Sequence, residues 1–258
     1  MTRNGSRIIY ANQSSDEFGV FVGHIQTINE DTNDEETNII QSKNRFKKTW
    51  DFHGLEQSAP LRFKMTLIKL DGTYIDSNDQ RMLKKWLCKS NFNWLQVEQD
   101  DLNDINYFCI ITNPRPVNVG VYTGGLEVDI TCNSGIAWSG INKKSYTSNT
   151  TYTFNFNLIT DYDDYILLPI ATINPTSDGN ISIKNNTTNK TITINNCVTT
   201  ETIIMDGNKD IIESSNNRVL LDSWNKQFLE IISGSNSITL TGNLTMILEY
   251  RLPIRIGG

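Results

Sequence analysis

The sequence predicts a mainly β protein built from two β-sandwich-like domains, the first carrying one α-helix. Three observations carry this reading. Apolar and polar residues alternate with period two, most clearly where Leu61, Phe63, Met65 and Leu67 oppose Arg62, Lys64 and Thr66. A helical period occurs at Met82, Leu83, Trp86 and Leu87. Beyond Tyr152 the chain offers only short alternating runs separated by turn residues, as a sandwich does.

In chain order, Ile8-Ile9-Tyr10 and Phe18–Val22 read as a strand pair around the polar turn Asn12–Asp16. The acidic stretch Asn29–Thr37 and the basic stretch Lys43–Lys48 read as loop. A half-buried strand starts at Pro60. After Asp71-Gly72 a helix runs from about Ser77 to Cys88, with Asp76 or Ser77 as N-cap and Asp79 in the first turn, where carboxylates meet unpaired N–H groups. Strands resume at Trp94–Val97, Tyr107–Ile111 and Leu126 to Cys132, and the glycine pair of Tyr122-Thr-Gly-Gly125 reads as a hairpin turn. The polar stretch Ser139–Thr151 reads as a linker, so the domains are expected at 1–138 and 139–258.

The second half then alternates at Tyr152–Leu158, Ile166–Ile173, Ile181 and Ile183, Ile192 and Ile194, Ile203 and Met205, Ile238 and Leu240, and Leu244–Tyr250. Asp206-Gly-Asn208 is a hairpin turn signal, because Gly and Asn accept positive φ. Gly234-Ser-Asn236 breaks the chain before Ile238.

Composition narrows the function. Apolar residues make up 38% and charged residues 20%, values of a globular chain. With 23 basic against 29 acidic residues the net charge is −6, which argues against recognition of nucleic acid. No apolar run nears the roughly 20 residues of a membrane-spanning helix, so membrane insertion is not expected. Met1–Tyr10 lacks the apolar core of a signal peptide, which leads us to expect cytoplasmic synthesis. Cys88, Cys109, Cys132 and Cys197 have no Cys-x-x-Cys spacing and are expected as reduced thiols. Matches such as Asn149-Thr-Thr151 follow from the high Asn and Thr content.

A catalytic set is hard to assemble. His24 and His53 show no metal-ligand spacing, Gly-x-Ser-x-Gly is absent, and the Gly pair follows no strand-to-helix unit that would cradle phosphate. Asp161, Asp163 and Asp164 could serve a glycosidase or calcium, but they lack the spacing of a calcium loop, and solvated loop acids explain them. The expectation is therefore no enzyme, no metal and no cofactor. Trp138, Tyr146, Tyr162 and Tyr165 are aromatic candidates either for packing the two domains together or for stacking on a sugar ring, the second option making the chain a lectin-like carbohydrate-binding module. The acidic Asp31–Glu36 and basic Lys43–Lys48 stretches could meet between neighbouring copies, with a solvated hairpin as the plainer reading.

Several of these segments resemble one family. Phe18-Gly19, the strand Phe63–Leu70, the helix with Arg81, Trp86 and Leu87, and Thr131-Cys-Asn-Ser-Gly-Ile-Ala-Trp-Ser139 are similar to the ring domain of siphophage distal tail proteins. The last segment resembles that family's Cys-Asp-x-Pro-x-Ala-Trp corner, with Asn133 and Gly135 in place of the acid and the proline. Asn180–Ile183, Glu201-Thr-Ile with Asp206, Ile211-Ile212 with Ser214-Ser215, Asn225, Gly234 with Asn236 and Ile238, and Glu249-Tyr-Arg251 resemble its galectin-like second domain. The resemblance implies a structural hub at the virion tail tip, synthesised in the bacterial host cytoplasm. It implies a homo-hexameric ring joining the major tail tube protein to the tail-associated lysin or tip protein, with tape-measure and receptor-binding proteins as further neighbours.

Overall fold

The computed structural model describes residues 6–27, 37–43, 49–57, 60–98 and 105–255. It is mostly strand, with two compact units: Met1–Trp138 with Arg255–Gly258, and Ser139–Ile254.

In the first unit, β1 (Arg7–Tyr10) turns through Ala11 and Asn12, both at positive φ, into β2 (Gln13–Ser14). A 3-10 turn over Ser15–Phe18 follows; Asp16 N donates to Ser14 Oγ and Ser14 N donates to Glu17 Oε1, both at 3.2 Å. Gly19, at φ 63°, ends it. The next strand, β3 (Val20–Thr27), therefore leaves in a new direction, and among the described residues a Ser6–Val22 bridge links it to the β1 side. The expected hairpin between residues 8–10 and 18–22 is replaced by the tighter β1–β2 turn.

A separate hairpin joins β4 (Thr37–Lys43) to β5 (Trp50–Gln57). The loop reading missed β4 because Ile39 and Ile40 are adjacent and both exposed, so no alternation marks a buried face. The acidic stretch Asp31–Glu36 and residues 44–48 of the basic one lie outside the described residues, and the contact considered between them with them.

β3 pairs instead with β6 (Arg62–Lys69) at the end of the main sheet, which runs β2-β1-β7-β8-β9-β6-β3 with β7 (Asn93–Glu98), β8 (Asn106–Val119) and β9 (Tyr122–Cys132). β10 (Ala137–Trp138) adds to β8 through Trp138 and Asn106. Phe63, Met65 and Leu67 are buried, as their alternation requires, and Leu126, Val128 and Ile130 join them from β9. Gly124 and Gly125 lie inside β9; the turn is made by Gly120 at φ 64°. Gly125 instead permits close approach, since a Cβ there would sit 3.1 Å from Leu67 O.

The helix α1 (Ser77–Leu87) packs on this core through Leu83, Trp86 and Leu87. Asp79 N donates to Asp76 Oδ1 at 2.8 Å and Asp76 N donates to Asp79 Oδ2 at 3.2 Å, a reciprocal cap that contributes about 1 kcal/mol. Asp79 also receives Lys69 Nζ at 2.9 Å, which ties the helix start to the end of β6. Trp86 donates its indole N–H to Tyr10 O at 3.1 Å and stacks on Phe18 at 4.4 Å. Met82, expected on the buried stripe, points to solvent.

The second unit is built around one seven-stranded sheet folded into two leaves. Its spine is a ribbon of β11 (Asn142–Leu158) and a long C-terminal strand over Gly234–Tyr250, paired from Asn142–Tyr250 to Leu158–Gly234. Strand thus begins inside the stretch read as a linker; Lys143, Lys144, Ser145, Thr147 and Asn149 give its first half too few apolar positions to be recognised. After the small strand β12 (Ile166–Leu167) come β13 (Ile170–Pro175), β14 (Gly179–Asn185), β15 (Lys190–Cys197), β16 (Ile203–Asp206) and β17 (Ile211–Ser214). Pro169, which lacks a backbone N–H, separates β12 from β13 where one strand was expected. β18 (Ile231–Ile232) closes on β12, and the long strand is β19.

β19 pairs with β14 over Ile238–Thr241 and with β13 over Leu244–Glu249, so it passes from one leaf to the other at Gly242. Gly242 has φ 105°, and a Cβ there would meet Asn180 O at 2.8 Å. The fold-over is visible in Tyr146 and Phe154 of β11, whose rings stack at 3.6 Å. An extended strand would hold residues eight apart at roughly 26 Å. Between the leaves lie Phe156, Ile173, Ile183, Ile194, Leu240 and Met246.

Two turn signals act differently from their sequence reading. The β16–β17 hairpin closes at Asp206–Ile211 as expected, but positive φ falls on Asp210; Gly207 is needed because a Cβ would lie 3.2 Å from Phe228 Cβ. At Gly234-Ser-Asn236, Asn236 is fully buried, accepting from Ile232 N at 3.1 Å and donating to Ile232 O at 2.7 Å. It also accepts from Asn185 Nδ2 at 3.1 Å, fixing the start of β19.

Candidate functional site

The aromatic candidates fall at three places in the chain's fold. Trp138 is half-buried at the end of β10, its ring edge-on to Trp94 at 6.5 Å and 88°. Tyr146 has one face covered by Phe154, and burial pushes its hydroxyl up, helped by Tyr250 and Tyr152. Tyr162 and Tyr165 share a turn after β11, closed by Tyr165 N donating to Tyr162 O at 3.3 Å. Tyr165 packs against the second core, and burial raises its hydroxyl. The structure thus joins Tyr162 with Tyr165, places Tyr146 separately on the ribbon, and puts Trp138 in the first unit.

Asp161, Asp163 and Asp164 stand exposed around the same turn, and among the described residues no group of three His, Cys, Asp or Glu could hold a metal ion. His24 is exposed beside the β3 bulge, and His53 Nε2 lies 2.7 Å from Ser42 Oγ across the β4–β5 hairpin. All four cysteines are free; Cys88 is exposed, and Cys109, Cys132 and Cys197 are buried.

What the geometry offers is exposed apolar surface. The β8–β9 hairpin ends in Val119-Gly120-Val121, with Val121 91% and Val119 62% exposed. Beside it Tyr74 and Tyr122 stack at 4.3 Å and 13°, so the tip stands on a rigid aromatic collar. Exposed valines on a tight turn gain nothing from water. The β4–β5 hairpin exposes Ile39, Ile40 and Trp50. Sequence reasoning missed both; valines flanking a turn glycine were the available signal, since turns are ordinarily polar.

The main sheet carries a charged row on β6, β8 and β9: Lys64 and Arg115 both approach Glu127, at 3.9 and 3.2 Å, and Arg115 also pairs with Asp129. Opposite charges on neighbouring strands hold register and keep this face polar.

Comparison with known proteins agrees with the two-unit architecture. Residues 3–134 match the family described as a phage tail protein N-terminal domain, and residues 136–250 match that described as a phage tail C-terminal domain. No curated protein sequence matches the chain. Among solved structures, the SPP1 Dit protein, described as a paradigm of the hub adsorption apparatus of phages infecting Gram-positive bacteria, superposes with a TM-score of 0.65 at 7% identity, over 96% of this chain and 99% of that one. A chain of the phage P2 baseplate in its activated conformation with Ca gives 0.58 at 8% identity, over 97% and 98%. A chain of the same baseplate with Sr gives 0.57 at 9% identity, over 98% of each. At these identities the likeness is one of fold.

Proposed function

Since the chain belongs to the phage tail protein family through both of its units, we propose that it is the structural hub at the distal end of a tail, six copies closing into a ring. The single observation that carries this is the extent of the fold likeness: both units, in the same order, align with nearly the whole of the SPP1 hub protein. In this reading the first unit builds the ring, the second stands at its periphery, and the ring joins the tail tube above to the tip and receptor-binding apparatus below.

The surface chemistry fits. A cyclic ring of identical subunits needs two different, complementary faces on each copy. In this reading the Val119–Val121 tip and the Ile39, Ile40 and Trp50 hairpin, two separate apolar groups, serve the two different faces by which neighbouring copies join. No step of this function calls for a reacting group. Solution mass measurement over a wide concentration range tests the proposal: a hexamer of the 29.3 kDa chain is expected, and a monomer at every concentration overturns it.

A further inference from the structure

Cys109 on β8 and Cys132 on β9 stand directly opposite each other. Cys132 N donates away from β8, to Leu61 O at 2.9 Å, while the adjacent Asn133 N donates to Phe108 O at 2.9 Å. The cysteines therefore occupy a non-hydrogen-bonded antiparallel pair, the register in which Cα atoms approach to about 4.5 Å and side chains lie closest. A disulfide spans Cα separations of about 4.4–6.8 Å. Opposite residues share a sheet face, and both thiols are in the core of the first unit, free and shielded from solvent. Neither Cys88 nor Cys197 faces another cysteine in register.

We propose that Cys109 and Cys132 form a redox modification site, a latent cross-strand disulfide that takes an oxidant of the small-molecule disulfide class. The thiolate sulfur of one cysteine attacks the oxidant, breaking its S–S bond and expelling one thiol. The second cysteine sulfur then attacks the mixed disulfide, forming the Cys109–Cys132 bond and expelling the other. The two cysteine protons end on the two released thiols, and the oxidant gains the two electrons that the cysteines lose.

Burial holds the reaction back in the closed sheet. It pushes the Cys132 thiol up to about 12, and burial together with the neighbouring Cys132 pushes Cys109 higher still, so the reactive thiolate is scarce until the strands part or the chain folds. A tail protein works on a virion, where disulfides persist once formed. The bond would close the loop from residue 109 to residue 132, clamping the base of the β8–β9 hairpin while leaving its Val119–Val121 tip exposed.

The test uses the full chain, incubated with glutathione disulfide in urea below its unfolding midpoint and then returned to buffer. Peptide mapping is expected to find Cys109 linked to Cys132, with the melting midpoint raised by about 5–10 °C and restored by a thiol reductant. Linkage spread evenly over all four cysteines, a folded product reduced at both positions, or a linked product that melts lower overturns the proposal. The variant C88A/C197A, refolded from full denaturant with the same oxidant, removes competing pairings; if it regains the native fold only with both thiols reduced, the proposal also fails.

Discussion

Glu201 and Arg218 meet as a two-point ion pair inside the second unit, Nε to Oε1 at 3.1 Å and Nη2 to Oε2 at 2.9 Å, with the carboxylate wholly shielded from solvent. Ser214 Oγ donates to the same carboxylate at 2.6 Å, and Arg218 Nη1 reaches Asn195 O at 3.3 Å. The pair fastens the segment after β17 to the connection between β15 and β16, and the Asn195 bond extends the tie to β15. Its fork geometry matches guanidinium to carboxylate, which a lysine could not reproduce.

Replacing Arg218 by Met leaves a buried carboxylate without its cation. The expected loss is about 3 kcal/mol of folding stability, measured by urea unfolding. The double variant E201M/R218M removes both charges and should recover most of it. A double variant as unstable as the single one would show that the packing, rather than the charge, matters there.

The same pair sets an acid limit. Burial alone would raise the Glu201 carboxyl, but hydrogen bonds from Arg218 and Ser214 outweigh it and hold the group below its ordinary value. A carboxyl depressed in the folded state contributes stability that is complete above its unfolded value, about 4.3, and is lost as pH falls through the folded one. In R218M the cation no longer offsets burial, so the carboxyl rises and takes up its proton first; the stability gap between wild type and R218M should accordingly narrow as pH falls from neutral, and close further as wild-type Glu201 protonates below about pH 4. Denaturant midpoints at stepped pH check this.

Gly242→Ala should cost about 2–4 kcal/mol, because φ 105° is closed to side chains and the added carbon collides with Asn180 O. Gly120→Ala, on an open turn with nothing near the added carbon, should cost about 1 kcal/mol. Comparing the two melting points separates collision from backbone strain.

These glycines show what was legible in the sequence. Alternation through Phe63, Met65 and Leu67 and the Asp76–Asp79 cap are local, so strand and helix could be read directly. The role of Gly242 depends on a strand crossing from leaf to leaf, and the Glu201–Arg218 and Cys109–Cys132 pairs depend on register between distant segments; neither leaves a local pattern. The first half of β11 was hidden because an edge strand with few buried side chains alternates too weakly. Of the candidate aromatics the residue type was readable, but the neighbours that cover them, Trp94 for Trp138 and Phe154 for Tyr146, were not.

Val121→Asp places a charge on the most exposed point of the hairpin tip. Folding stability should change by less than about 0.5 kcal/mol, since nothing in the fold covers the residue. If the tip is an assembly contact, the mass in solution should fall towards the monomer or binding to another tail component should weaken. A variant with unchanged assembly on both counts would remove the tip from the interface.

Asn142 and Tyr250, the outer ends of the β11–β19 ribbon, are paired neighbours, so the second unit takes in the chain and releases it at one place. Tension drawn through the polypeptide on either side would act first on the contact just outside that rung, where Ser139 N donates to Leu252 O at 2.8 Å, and then peel the ribbon pair by pair, with no shearing of all its hydrogen bonds at once. A pull travelling along the backbone therefore meets a zipper at the doorway of this unit, and because the outer part of β19 is also bonded to β13, ribbon and leaf yield together, one rung at a time.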